Sequence, residues 1–163
     1  MEVVEVAVGL SEGEPSVALA RRLRSRRAVD RLDYLRTVRA LAATMNQAAL
    51  AAELGVTQPA ISAAMKKARE VEDLPEGFSG AGPYEIAERY AAGQIDRARL
   101  IEELSRFPYA PTPRTDGVDW LVDDVPKTVG EVLDALRAGL IDAELYEQVQ
   151  DGIDTYRHTA VRD

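Results

Sequence analysis

Apolar residues return every three or four positions along most of this chain, which is the spacing of a helix face and not of a strand. From Ser16 to about Ala43 the apolar stripe is Leu32, Leu35, Val38, Leu41 and Ala42, with Asp30, Asp33, Arg36 and Arg39 set between them as polar positions. The helical pattern continues to about Val71. The run Pro75-Glu76-Gly77-Phe78-Ser79-Gly80-Ala81-Gly82-Pro83 then interrupts it with proline and glycine, so residues 75–83 read as a linker between two domains. Residues 1–15 alone depart from the helical rule. Valines alternate there ahead of Gly9, Gly13 and Pro15, a pattern open to a short edge strand or a mobile arm, with the arm the better fit.

Beyond the linker the chain repeats itself at an offset of 46 residues. Glu85-Ile86-Ala87-Glu88-Arg89-Tyr90-Ala91-Ala92-Gly93-Gln94-Ile95-Asp96 lies over Glu131-Val132-Leu133-Asp134-Ala135-Leu136-Arg137-Ala138-Gly139-Leu140-Ile141-Asp142. Each unit has a short helix, a glycine placed to end it, a buried isoleucine, and an aspartate placed to cap the next helix. The second helices are expected over about Arg97 to Phe107 and Ala143 to Asp154. Thr128 and Glu131 have the spacing of a capping box ahead of the second unit. Between the units, Pro108, Pro111, Pro113 and Gly117 exclude a continuous helix, and Trp120, Leu121, Val122 and Val125 suggest a connector laid on apolar surface. Neither hairpin can bury its stripe alone, so the two should pack on each other or on the first domain. The expected fold class is all-α.

Charge divides the chain as sharply as the pattern does. The 163 residues carry a net charge of −8 with no cysteine, so thiolate metal sites, disulfides and cysteine nucleophiles are excluded. Residues 16–69 nevertheless hold 11 basic residues against 3 acidic ones, whereas residues 75–163 hold 9 basic against 18 acidic. The basic part suits a polyanion and the acidic part does not. An acidic N-terminus and the lack of any apolar run near the roughly 18 residues of a membrane span make a cytoplasmic protein without a membrane partner the expectation.

Within the basic part, Gln47 to Lys66 meets a demanding steric pattern. Two helices that cross steeply need a small residue at their contact, a tight turn, and apolar residues directed into the angle. Ala51 supplies the small contact and Gly55 the left-handed turn position, while Leu50, Leu54, Val56, Ile61 and Ala64 are placed to fill the interior. Thr57 is then the N-cap of the second helix, with Pro59 in its first turn.

The stretch Leu54-Gly55-Val56-Thr57-Gln58-Pro59-Ala60-Ile61-Ser62 resembles the helix-turn-helix of bacterial and phage regulators, the Xre/Cro-like group in particular. The likeness covers about 20 residues, with Val29 to Ala43 as a supporting helix, and does not reach the acidic half. It implies that a recognition helix over about 57–67 enters the major groove of double-stranded DNA, N-terminal residues toward the base edges. Carried over by position, Thr57, Gln58, Ser62 and Lys66 would face the groove and Pro59 and Ala63 would touch thymine methyls or sugars. Gln58 is the favoured base reader, because its amide can bond adenine through two hydrogen bonds. Gln47, Lys67 and Arg69 would hold phosphates. The cluster Arg21, Arg22, Arg24, Arg26 and Arg27, placed ahead of the supporting helix, suits a second phosphate strip, an arm along the minor groove or a solvated face.

Other chemistry has little to stand on. The one histidine, His158, cannot build a His-based metal site or a triad, and Asp116, Asp119, Asp123 and Asp124 lack the ligand spacing of a cation loop. The aromatic residues Tyr84, Tyr90, Phe107, Tyr109, Trp120 and Tyr146 read as packing. The sequence therefore describes a helix-turn-helix DNA-binding domain over 16–74 behind an arm, the linker, and an acidic helical-hairpin domain over 84–163. The expected function is transcriptional regulation, repressor-like or antitoxin-like, with no enzyme activity, cofactor or metal. The acidic half would serve self-association or a protein partner such as a toxin. The alternative is a non-catalytic interaction module whose acidic half binds a basic protein.

Overall fold

A computed structural model describes residues 15–111 and 125–160; the N-terminal arm, most of the proline-rich connector with Trp120, and the four acids tested as cation ligands lie outside these residues. Among the described residues the protein is all-helical. No helix there is long and apolar enough to cross a membrane.

The first helix, α1 (Val17–Ala42), starts where Ser16 Oγ accepts the Leu19 N–H at 3.1 Å. At 1.5 Å per residue it is about 39 Å long, and the arginine cluster lies inside it and not ahead of it. Its C-terminal half carries α2 (Gln47–Leu54) and α3 (Gln58–Ala68). Leu50, Ala51 and Ile61 close on Val38, with Ala42, Met45, Ala64 and Met65 at the margin. Arg39 ties the far end of α3 to α1 by donating to the carbonyls of Ala68, the last residue of α3, and Val71 just beyond it.

Gly55 takes φ +64°, and the Val56 N–H closes the turn on the Ala51 carbonyl at 3.0 Å. Leu54 and Val56 do not fill the interior as their pattern suggests; they are 44% and 41% exposed. Helix α2 touches only α1 and α3 among the described helices, so no other described helix covers the outer side of the turn. A Cβ at Gly55 would meet no atom within 4 Å, which isolates backbone strain from crowding. We therefore expect Gly55→Val to cost about 1–3 kcal/mol and Gly55→Asn, which tolerates this conformation, much less. Urea unfolding of both variants checks this, and equal midpoints would remove strain as the cause.

The second half contains α4 (Pro83–Ala91), α5 (Arg97–Arg106), α6 (Gly130–Arg137) and α7 (Ala143–Ala160). Positions 46 residues apart make the same bonds: Gln94 N–H to Arg89 O and Leu140 N–H to Ala135 O, each 2.9 Å, around Gly93 and Gly139 at positive φ. Asp96 and Asp142 each accept the N–H three residues ahead at 2.8 Å. Helix α4 lies on α6 and α5 on α7, enclosing Ile86, Leu100, Leu104, Phe107, Val132, Leu145, Val149 and Ile153.

Three local expectations need correction. Thr128 and Glu131 do not form a capping box: Val129 precedes α6 without a side-chain cap, and Glu131 instead accepts from the Lys127 and Tyr84 N–H groups. A sharp turn at Lys127, φ +64°, moves the donor one residue back. Helix α7 runs on to Ala160 because its last turns, though exposed, contain no breaker. The segment expected as a linker is packed. Ser79 N–H and Oγ both donate to Glu103 at 2.8 Å, Phe78 meets Phe107 edge-on at 5.3 Å, and Pro83 is already the first residue of α4.

Helix α1 also packs along α4, and charged groups fasten the seam. Arg36 grips Glu85 through two bonds of 2.7 and 2.9 Å, and Arg89 bonds Asp33, Glu85 and Gln94. The side chains of Arg89, Glu85 and Arg36 are only 8%, 10% and 12% exposed. Burial pushes the Glu85 carboxyl up, but bonds from Arg36, the Ala81 N–H and Arg89 outweigh that and hold it below its ordinary value. The Arg89 bond likewise holds Asp33 low.

Candidate nucleic-acid interface

Asn46 and Thr57 place the two short helices. Asn46 caps α2 by accepting the Ala49 N–H at 2.8 Å, and Thr57 Oγ1 caps α3 by accepting the Ala60 N–H at 3.3 Å. Asn46 had no part in the sequence reading, although an Asn just before Gln47 is the ordinary signal of such a cap. With Thr57 fixed, helical geometry divides α3 into two faces. Ile61 and Ala68 are buried, with Ala64 and Met65 partly so, against α1 and α2.

The opposite face carries the sequence-selected residues together. Gln58, Pro59, Ser62, Ala63 and Lys66 are all exposed and recur at spacings of three and four, so they form one stripe. Lys67 and Arg69 are exposed at its C-terminal end, where cations also favour the helix dipole. Among the described residues, none of these three cations is held in an ion pair. Gln47 is half-buried at the start of α2. Thr57 is exposed, but its hydroxyl is committed to the cap, which leaves its other lone pair and its proton for an external partner.

The 11 residues of α3 span about 16 Å, a length that fits along a groove about 12 Å wide. On α1, Arg31 stands seven residues before Val38 and Arg27 four before that, so both lie on the side that carries α2 and α3. Both are exposed. His158 is on the far end of α7, with Nδ1 2.6 Å from the Asp154 carbonyl oxygen, away from this surface in the chain.

Compared with protein-family models, curated proteins and solved structures, the chain matches none.

Proposed function

We propose that the protein is a sequence-specific, non-catalytic DNA-binding regulator in which α2, the Gly55 turn and α3 act as a helix-turn-helix. The observation that carries this reading is the single exposed stripe of α3. It brings an amide, a hydroxyl, two small apolar groups and cations unpaired among the described residues onto the exposed side of one helix, whose other side packs on α1 and α2. Base edges offer partners to the amide and hydroxyl, thymine methyls to Pro59 and Ala63, and phosphates to Lys67 and Arg69. Arg27 and Arg31 extend the positive surface along α1 for flanking phosphates. The acidic half is then the seat of self-association or of a protein partner.

Selection of a binding site from random duplexes, followed by titration across salt concentrations, tests the reading. Gln58→Ala should weaken the selected site by about 1–3 kcal/mol and leave random DNA nearly unchanged. Lys67→Ala should weaken both and make the log–log salt slope shallower by about one. A chain that enriches no sequence and shows no negative salt slope is not a DNA-binding regulator.

A further inference from the structure

A groove of about 710 Å³ runs between the N-terminal half of α1 and the glycine turns that end α4 and α6. Its two walls differ in chemistry. Arg21, Arg22 and Arg24 line the α1 side, and among the described residues none of them is in an ion pair. The α4 side presents Tyr84, Glu88 and Tyr90, partly buried, with Ile95 and Leu140 as apolar floor. Three guanidiniums against one carboxylate give the groove a positive balance in a chain whose net charge is −8.

We propose that this groove binds a nucleoside phosphate, with the phosphate on the α1 arginines and the planar base against the tyrosines. Guanidiniums supply forked donors that match phosphate oxygens. Aromatic walls supply the flat surface on which a base stacks. Glu88 bonds to no other described side chain and accepts from the hydroxyl or amino groups that a nucleoside carries and an inorganic anion lacks. Burial first, then the nearby Glu85, pushes its carboxyl above the ordinary value, the condition of an acceptor held in a partly dry site. The two walls thus ask for different ends of one molecule. A simple anion satisfies only the arginines, and an uncharged nucleoside only the tyrosines and Glu88. This site is distinct from the face of α3 and does not depend on the DNA-binding reading.

Calorimetric titration of the full chain with AMP, ADP, adenosine and inorganic phosphate tests the proposal. AMP or ADP should bind at least about tenfold more tightly than adenosine or phosphate, since each of the latter meets one wall. The charge reversals Arg22→Glu and Arg24→Glu together should abolish nucleotide binding while the circular dichroism spectrum and melting temperature hold. Glu88→Ala should weaken adenosine and AMP but not phosphate, which gains from loss of the carboxylate. The proposal is overturned if neither nucleotide binds at millimolar concentration, if phosphate binds as well as AMP, or if the double reversal leaves AMP affinity intact. It is also overturned if the double reversal lowers only the salt slope of DNA binding, since the arginines would then be phosphate contacts for duplex DNA.

Discussion

Glu85→Leu is expected to destabilise the fold by about 3–5 kcal/mol, the range for removing one partner of a buried ion pair. The carboxylate accepts from both Arg36 nitrogens, from Arg89 and from the Ala81 N–H. Without it, two guanidiniums with 12% and 8% exposed side chains face each other across the α1–α4 seam. Asp33 can relieve them only in part, because it is itself 42% exposed and already bonded to Arg89. At a urea slope near 2 kcal/mol per molar, the unfolding midpoint should fall by about 2 M. Replacing Asp33, Arg36, Glu85 and Arg89 together by apolar residues should cost less than the single change, since no charge of the network is left without its partner. A Glu85→Leu midpoint within error of the parent would mean that water reaches the seam and the network is ornamental.

The same network sets an acid limit. Glu85 and Asp33 are both depressed in the folded state, from ordinary values of 4.5 and 3.8. Their contribution is therefore complete above those values and is lost as the pH falls through the lower, folded ones. Glu88 acts with the opposite sign: its raised carboxyl weakens the fold at neutral pH and relieves it on protonation. The stability difference between parent and Glu85→Leu should accordingly be flat from about pH 7 to 5 and shrink below about pH 4.5.

The seam was invisible in the sequence for a physical reason. Asp33 and Arg36 are spaced as a polar stripe between Leu32, Leu35 and Val38, and such a stripe normally faces water. Asp33 and Arg36 also pair with each other, but the bonds that bury the stripe go to partners 49 and 56 residues away, and no local pattern states that pairing. The hairpins were legible because a glycine stop followed by an aspartate cap is local chemistry, repeated intact at a fixed offset. The α3 stripe was legible for a similar reason: once Thr57 is the cap, helical geometry fixes which residues share a face. Leu54 and Val56 show the limit of the method. Their apolar character promises a covering surface, and the described helices around the turn provide none.

A linker over residues 75–83 would leave two separable domains; the packing predicts instead that residues 16–74 alone are severely destabilised. Among the described residues, the core cluster of the head joins four buried side chains, Val38, Leu50, Ala51 and Ile61, against eleven in the hairpin cluster. Fragments of this size are marginal even when fully covered. Val29, fully buried, shares a face of α1 with Asp33 and Arg36, the residues bonded to α4, so deletion uncovers it and removes the Glu85 and Arg89 bonds that fasten this face. Losing the cover of a buried aliphatic side chain and the bonds along the seam removes about 2 kcal/mol or more from a small reserve. Residues 16–74 alone should therefore melt without a cooperative transition or far below the full chain. Their apparent DNA affinity should be reduced by the fraction folded, and excess DNA should restore helicity. Circular dichroism of the fragment, with and without a selected duplex, checks both statements. A fragment that melts cooperatively within a few degrees of the full chain and binds DNA equally well would show that α4 merely rests on α1.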